Sequence, residues 1–174
     1  MKNIGINGFG RIGRLSTRVW WQHHRKDVLK YDTTYGIFPG DISYEKYQGS
    51  KEATDLDPLI GYLILDKVVK IPVFAQRDPS KIPWGKYNVE VVIESTGAFT
   101  TEVKARAHLQ GGAKQVVISA PAKGGGVPTS VIGVNETKIV AEDINDTCCL
   151  NMGIIFIMML KWLGIKQKDL LSWI

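Results

Sequence analysis

The stretch Ile4-Gly5-Ile6-Asn7-Gly8-Phe9-Gly10-Arg11-Ile12-Gly13-Arg14-Leu15 decides the fold. Lys2 to Ile6 is a short, mainly apolar segment bounded by Asn7 and Gly8, and Ile12, Leu15 and Val19 then recur at helical spacing, so the order strand, turn, helix follows. Gly8, Gly10 and Gly13 satisfy the pattern G-x-G-x-x-G. The first glycine permits the tight turn, the second lets the backbone approach a pyrophosphate, and the third lets helix pack against strand. The phosphate would rest on free backbone N–H groups at the positive end of the helix. Alone, the pattern is a weak signal. Here it follows a strand, opens a helix and heads a chain of alternating strands and helices.

Outward from that turn, Val89 to Ile93 reads as a buried strand ending at Glu94-Ser95-Thr96-Gly97. Thr100 or Thr101 can cap a helix that stops at Gly111-Gly112, and Gln115 to Ser119 and Ser130 to Val134 are the next strands. This alternation implies an α/β fold, a doubly wound, mostly parallel sheet of the Rossmann type. Tyr31 to Tyr62, punctuated by glycine and proline, reads as mostly loop. Leu63 to Leu65 and Val68 to Ala75 flank Asp66-Lys67 as a hairpin, and Pro72 places the second of these strands at an edge. Asn151 to Leu163 reads as a helix that is apolar nearly all round and ends at Gly164, so it needs burial on most sides. The expected organisation is one domain over residues 1–150, with an atypical segment at 28–62, followed by an apolar helix and tail over 151–174.

A chain of 174 residues with 44% apolar and 22% charged side chains suits one domain with an appended helix, not two full domains. The net charge of +5 comes from 22 basic against 17 acidic residues spread along the chain, and Arg11, Arg14 and Arg18 form an ordinary solvated helix face; nucleic acid is not an expected partner. The two cysteines, Cys148 and Cys149, are adjacent, a poor disulfide geometry that suggests a reducing compartment. The longest apolar run, Met152 to Leu160, falls short of the ~20 residues that span a bilayer. With a lysine and a glycine turn where a cleavable leader would stand, a cytoplasmic protein without a membrane partner is expected. No Cys/His set has zinc-ligand spacing, so no metal is expected.

IGINGFGRIGRL resembles the start of glyceraldehyde-3-phosphate dehydrogenases, and later stretches agree in order: YDTTYG from Tyr31, QRDPSKIPWG from Gln76, IESTGAFTT from Ile93, AHLQGGAKQVVISAP from Ala107 and VIGVN from Val131. The resemblance implies an NAD-binding domain, with NAD as cofactor. By the same resemblance Asn7, Gly8, Phe9, Gly10, Arg11, Ile12 and Gly13 line the turn, Arg77 lies beside the adenine, Ser95, Thr96 and Gly97 lie near the pyrophosphate and ribose, and Ser119 lies near the nicotinamide. The family's ribose-binding acid closes its second strand, and nothing of that form occurs here. Asp32, 19 residues past Gly13, has the spacing of a ribose acid. Either Asp32 replaces it, with Val28 to Tyr31 re-forming the strand, or Asp32 is a structural residue of a connecting segment.

The family's nucleophile opens a helix in a Ser-Cys-Thr-Thr-Asn-Cys run, and the matching place here holds Asn145-Asp146-Thr147-Cys148-Cys149-Leu150-Asn151. Cys148 keeps C-x-x-N, and a thiolate at a helix N-terminus is stabilised by the dipole. Asp146 opposes that ionisation. A thiol attacking an aldehyde needs a base, commonly histidine; the chain has His23, His24 and His108, and none follows Cys148. His108, inside AHLQGG, is expected to pack. The reaction implied by the resemblance is phosphorylating oxidation of glyceraldehyde 3-phosphate in glycolysis, through a thioester on Cys148. The chain is expected to be a truncated relative without the catalytic domain and inactive alone. The alternatives are a non-catalytic NAD-binding or interaction module, or a degenerate gene product. Self-association through the apolar tail is expected, because seven consecutive apolar residues from Ile154 to Leu160 cover the whole circumference of a helix.

Overall fold

The computed structural model describes residues 3–24, 40–47, 54, 57–129 and 144–146. The expected strands at Val28 to Tyr31 and Ser130 to Val134, Asp32, Cys148 and the tail 151–174 lie outside those residues. Strand β1 (Asn3–Asn7) leads through the glycine turn into helix α1 (Arg11–His24), as the glycine spacing requires. Strands β2 (Ile42–Lys46), β3 (Leu59–Leu65) and β4 (Val69–Phe74) follow, then β5 (Val89–Glu94), the short helices α2 (Glu102–Ala105) and α3 (Ala107–Gln110), and strands β6 (Gln115–Ile118) and β7 (Ile144–Asp146).

One sheet has the order β1-β5-β6-β7, with every described pairing parallel. The register pairs Asn7 with Glu94, Glu94 with Ile118 and Ile118 with Asp146, so the four strands finish in one row. The loops that carry binding residues in open parallel sheets leave from that edge. Central strand β5 is VEVVIE, apolar at four positions of six, and all of its residues but Glu90 are buried. Both faces of a parallel sheet are covered, which is why the strand reads as a run and not as an alternation. Ile4, Ile6 and Ile12 pack on Ile93 from the side of the glycine turn. Ile82, Trp84, Val89, Val92 and Ala113 form a second cluster, against which Phe74 and Tyr87 pack with their rings edge to face at 5.1 Å.

The second sheet is antiparallel, in the order β2-β3-β4. Its β3–β4 hairpin turns through Asp66 (φ 49°) and Lys67 (φ 60°), both left-handed, with Val68 N donating to Leu65 O at 3.0 Å and Leu65 paired with Val69. Pro72 lies on edge strand β4, as a residue without an N–H requires. One reading needs correction. Tyr31 to Tyr62 is not mostly loop where it is described, because Ile42–Lys46 is a strand and β3 begins at Leu59. All five residues of β2 are exposed, and Ile42 and Tyr44 alternate with Ser43 and Glu45 over four positions only. Its cross-sheet tie is polar: Lys70 Nζ reaches Glu45 at 2.9 Å and sits 4.2 Å from the centre of the Tyr62 ring between them. The helix expected from Thr100 or Thr101 forms as two four-residue turns, with the Thr101 hydroxyl accepting from Lys104 N at 3.4 Å and Gly112 at φ 97° beyond its end.

Candidate functional site

Gly8 adopts φ 92°, a conformation closed to most side chains, and a β-carbon there would stand 2.8 Å from Thr96 N. Gly13 is buried where α1 crosses the turn, and a β-carbon on it would meet the Gly8 carbonyl oxygen at 2.0 Å. Gly10 differs from both: a β-carbon there would meet nothing within 4 Å. The turn is therefore closed on its protein side and open at its middle glycine. The first N–H groups of a helix lack intrahelical partners and carry the positive end of its dipole, and no acidic residue occupies the first turn of α1. These residues fit a pyrophosphate.

The turn is held from β5. Ser95 N donates to Asn7 O at 2.8 Å, and the Ser95 hydroxyl lies 3.0 Å from Asn7 O and 2.7 Å from Gly8 O. Asn7 Nδ2 donates to Glu94 Oε2 at 2.6 Å, and Thr96 donates to Glu94 Oε1 through its N–H at 2.7 Å and through its hydroxyl. Ser119 N donates to Glu94 O at 2.9 Å, which brings the end of β6 to the same edge. Asn7, Gly8, Phe9, Gly10, Arg11, Ile12, Gly13, Ser95, Thr96, Gly97 and Ser119 thus gather at the C-terminal edge of β1, β5 and β6. Phe9 is 54% exposed beside the turn, Gly97 takes φ 76° with open space around it, and Ile12 instead turns to the core against Ile93. Arg77 stands exposed on the link after β4, and among the described residues none accepts a hydrogen bond from its guanidinium.

Glu94 and His108 were not foreseen as parts of the site. Glu94 is 1% exposed and His108 is fully buried, with His108 Nε2 2.9 Å from Glu94 Oε2. Burial raises the Glu94 carboxyl, but hydrogen bonds from His108, Thr96 and Asn7 outweigh it and hold the group below its ordinary range. His108 does pack, as expected, near the rings of Trp84 at 6.0 Å and Phe99 at 6.1 Å, while both of its nitrogens have polar partners. The one available signal was Glu94 closing an apolar strand directly before Ser-Thr-Gly.

At the far strand, Asp146 is buried; its Oδ2 accepts from Ala122 N and its own N–H donates to Pro128 O at 3.1 Å. Its carboxylate is thus engaged with the loop after β6. Among the described residues no three His, Cys, Asp or Glu side chains cluster as a metal would need, and no helix is long and apolar enough to cross a membrane.

A parallel sheet of this order, with a glycine turn leading from β1 to α1 and a polar clamp on the turn, defines a doubly wound domain of the dinucleotide-binding class. Residues 2–102 match the family described as glyceraldehyde 3-phosphate dehydrogenase, NAD binding domain. The chain belongs to that family, and NAD is its cofactor. It is 43% identical over 159 residues to a glyceraldehyde-3-phosphate dehydrogenase of Aspergillus niger, covering 82% of this chain and 42% of that one. Identity is 45% over 170 residues with the enzyme of the same name from Mycosarcoma maydis, covering 85% and 45%, and 39% over 165 residues with that from Thermotoga maritima, again 85% and 45%. The chain spans less than half the length of these relatives.

Proposed function

We propose that this chain binds NAD with its pyrophosphate on the N–H groups of the Gly8–Gly13 turn, and that it acts as the cofactor-holding part of a glyceraldehyde-3-phosphate dehydrogenase type of activity. The observation that carries this reading is the turn itself, closed at Gly8 and Gly13 and open at Gly10. Asn7, Phe9 and Arg11 flank the pyrophosphate, Ser95, Thr96 and Gly97 approach the ribose side, Ser119 stands toward the nicotinamide and Arg77 toward the adenine. When bound, NAD supplies a hydride acceptor. The protein's part is to fix the cofactor against the strand ends and to keep its phosphates on backbone dipoles.

The names of the relatives make glyceraldehyde 3-phosphate the proposed substrate; the resemblance of residues 145–151 to the family's cysteine run makes Cys148 the proposed nucleophile, with a place in the cytoplasm and in glycolysis as further parts of the proposal. No histidine follows Cys148 in the sequence, so these 174 residues are proposed to bind cofactor without turning over substrate. Self-association through 151–174 belongs to the same proposal, and sedimentation at several concentrations, with Phe156→Lys as comparison, tests it.

Calorimetric titration with NAD tests the binding reading. Binding is expected, weakened where the ribose acid has moved. If Asp32 replaces that acid, Asp32→Ala removes a charge-assisted hydrogen bond of about 1.5–3 kcal/mol, on the order of ten- to a hundredfold in affinity. An affinity untouched by Asp32→Ala assigns Asp32 to the connecting segment. A chain that binds no NAD overturns the reading.

A further inference from the structure

A polar chain runs beneath the glycine turn through the core. Trp84 Nε1 donates to His108 Nδ1 at 3.2 Å, His108 Nε2 lies 2.9 Å from Glu94 Oε2, and Glu94 meets Asn7 and Thr96. An indole nitrogen can only donate. His108 Nδ1 is therefore the nitrogen without a proton, and the ring proton sits on Nε2, directed at Glu94. Glu94 then receives four donors: Asn7 Nδ2 and His108 Nε2 on one oxygen, and the Thr96 N–H and hydroxyl on the other. An ionised carboxylate offers about four lone-pair positions and no donor, so it matches this surround. Trp84 is 5% exposed, Glu94 1% and His108 0%, which leaves the partners to one another and not to water.

Buried charge is costly to install, and an apolar plug of the same volume would often serve stability as well. What an apolar plug would not do is orient the groups on either side of Gly8. Asn7 precedes the first glycine of the turn, and Thr96, two residues past the end of β5, lies against that glycine. Satisfied polar networks fix rotamers, because each member loses its partner if it turns away.

We infer that Glu94 is a positioning residue for the NAD turn, holding Asn7 and Thr96 in the orientation the cofactor meets, and that His108, locked in one tautomer by Trp84, positions Glu94. This rests on the reading of the turn as an NAD site. Glu94→Gln keeps size and replaces one acceptor oxygen with a donor that faces donors. The cofactor affinity then falls although Glu94 itself touches no cofactor.

The test is NAD affinity of the full chain by calorimetry, with circular dichroism on each variant. In the unaltered chain, NAD binding is expected and the Trp84 indole N–H resonance shifts on saturation. Glu94→Gln weakens NAD on the order of tenfold, the scale of one charge-assisted hydrogen bond lost. Thr96→Val does likewise, and the double variant loses less than the product of the two, because residues in one network are coupled. His108→Gln, which still offers an N–H to Glu94, stays within about twofold of the unaltered affinity, and His108→Leu falls about fivefold, since only the first keeps the network joined. A folded Glu94→Gln with unchanged affinity, multiplicative losses in the double variant, or equal His108→Gln and His108→Leu would overturn the inference while leaving the NAD reading in place. An unaltered chain that fails to bind NAD would overturn both. Should Glu94→Gln not fold, the His108 pair and the Trp84 resonance decide; a resonance unmoved at saturation counts against the inference.

Discussion

Asn7 and Glu94 are register partners at the ends of adjacent parallel strands, and their side chains meet with Nδ2 2.6 Å from Oε2. The contact joins the residue that enters the glycine turn to a carboxylate that is 1% exposed. A hydrogen bond to a buried charged acceptor is stronger than one between neutral groups, so this pair ties the turn to the centre of the sheet.

That tie gives stability a defined dependence on pH. Glu94 is held below its ordinary value of 4.5 in the folded chain, because its hydrogen bonds outweigh its burial. A carboxyl depressed on folding contributes stability that is fully present above its unfolded value and is lost as pH falls through its folded value. Urea denaturation between about pH 7 and pH 3 is expected to show a steeper loss below the ordinary carboxylate range for the unaltered chain than for Glu94→Gln. Parallel acid limbs would contradict the assignment.

Gly13→Ala places a methyl group 2.0 Å from the Gly8 carbonyl oxygen, a backbone atom that cannot swing aside. The helix must back away from the turn, and overpacking of this kind costs about 1–3 kcal/mol. The shift in urea midpoint measures it, and a midpoint within error of the unaltered chain would show that α1 does not cross the turn so closely.

In the β3–β4 hairpin, Lys67 sits at φ 60°. Left-handed backbone costs a non-glycine residue about 1–2 kcal/mol, partly offset by the roughly 0.5–1 kcal/mol that glycine loses in chain entropy. Lys67→Gly is therefore expected to stabilise by about 0.5–1 kcal/mol. The substitution also removes the Lys67–Asp41 ion pair at 3.5 Å, but both side chains are exposed and such pairs contribute little. A lower melting temperature in the variant would refute this account of the turn.

What was legible in the sequence was local. Gly8, Gly10 and Gly13 announce the turn because each satisfies a separate steric demand within six residues, and VEVVI announces a covered strand because a central strand needs apolar residues on both faces. Asp66-Lys67 between two apolar runs marks the hairpin. What was not legible depends on distant partners. ISYEK alternates over only four residues, Ile42 and Tyr44 with Ser43 and Glu45, too short a run to stand out among its flanks, and β7, at Ile144–Asp146, is too short for any period to show. Glu94 reads as an ordinary strand end. Its burial is set by Asn7, 87 positions away, and by His108, 14 positions away, and neither contact leaves a mark on neighbouring residues.

The central claim, that NAD rests on the glycine turn, is tested most directly by calorimetry on Gly10→Ala beside the unaltered chain. A methyl group at Gly10 meets no protein atom within 4 Å, so the fold and its urea midpoint should hold while the methyl group intrudes where a pyrophosphate would lie. We predict an NAD affinity at least about tenfold weaker, equivalent to about 1.4 kcal/mol, with stability changed by no more than about 0.5 kcal/mol. An affinity equal to that of the unaltered chain, in a variant of equal stability, would show that NAD does not lie against this turn.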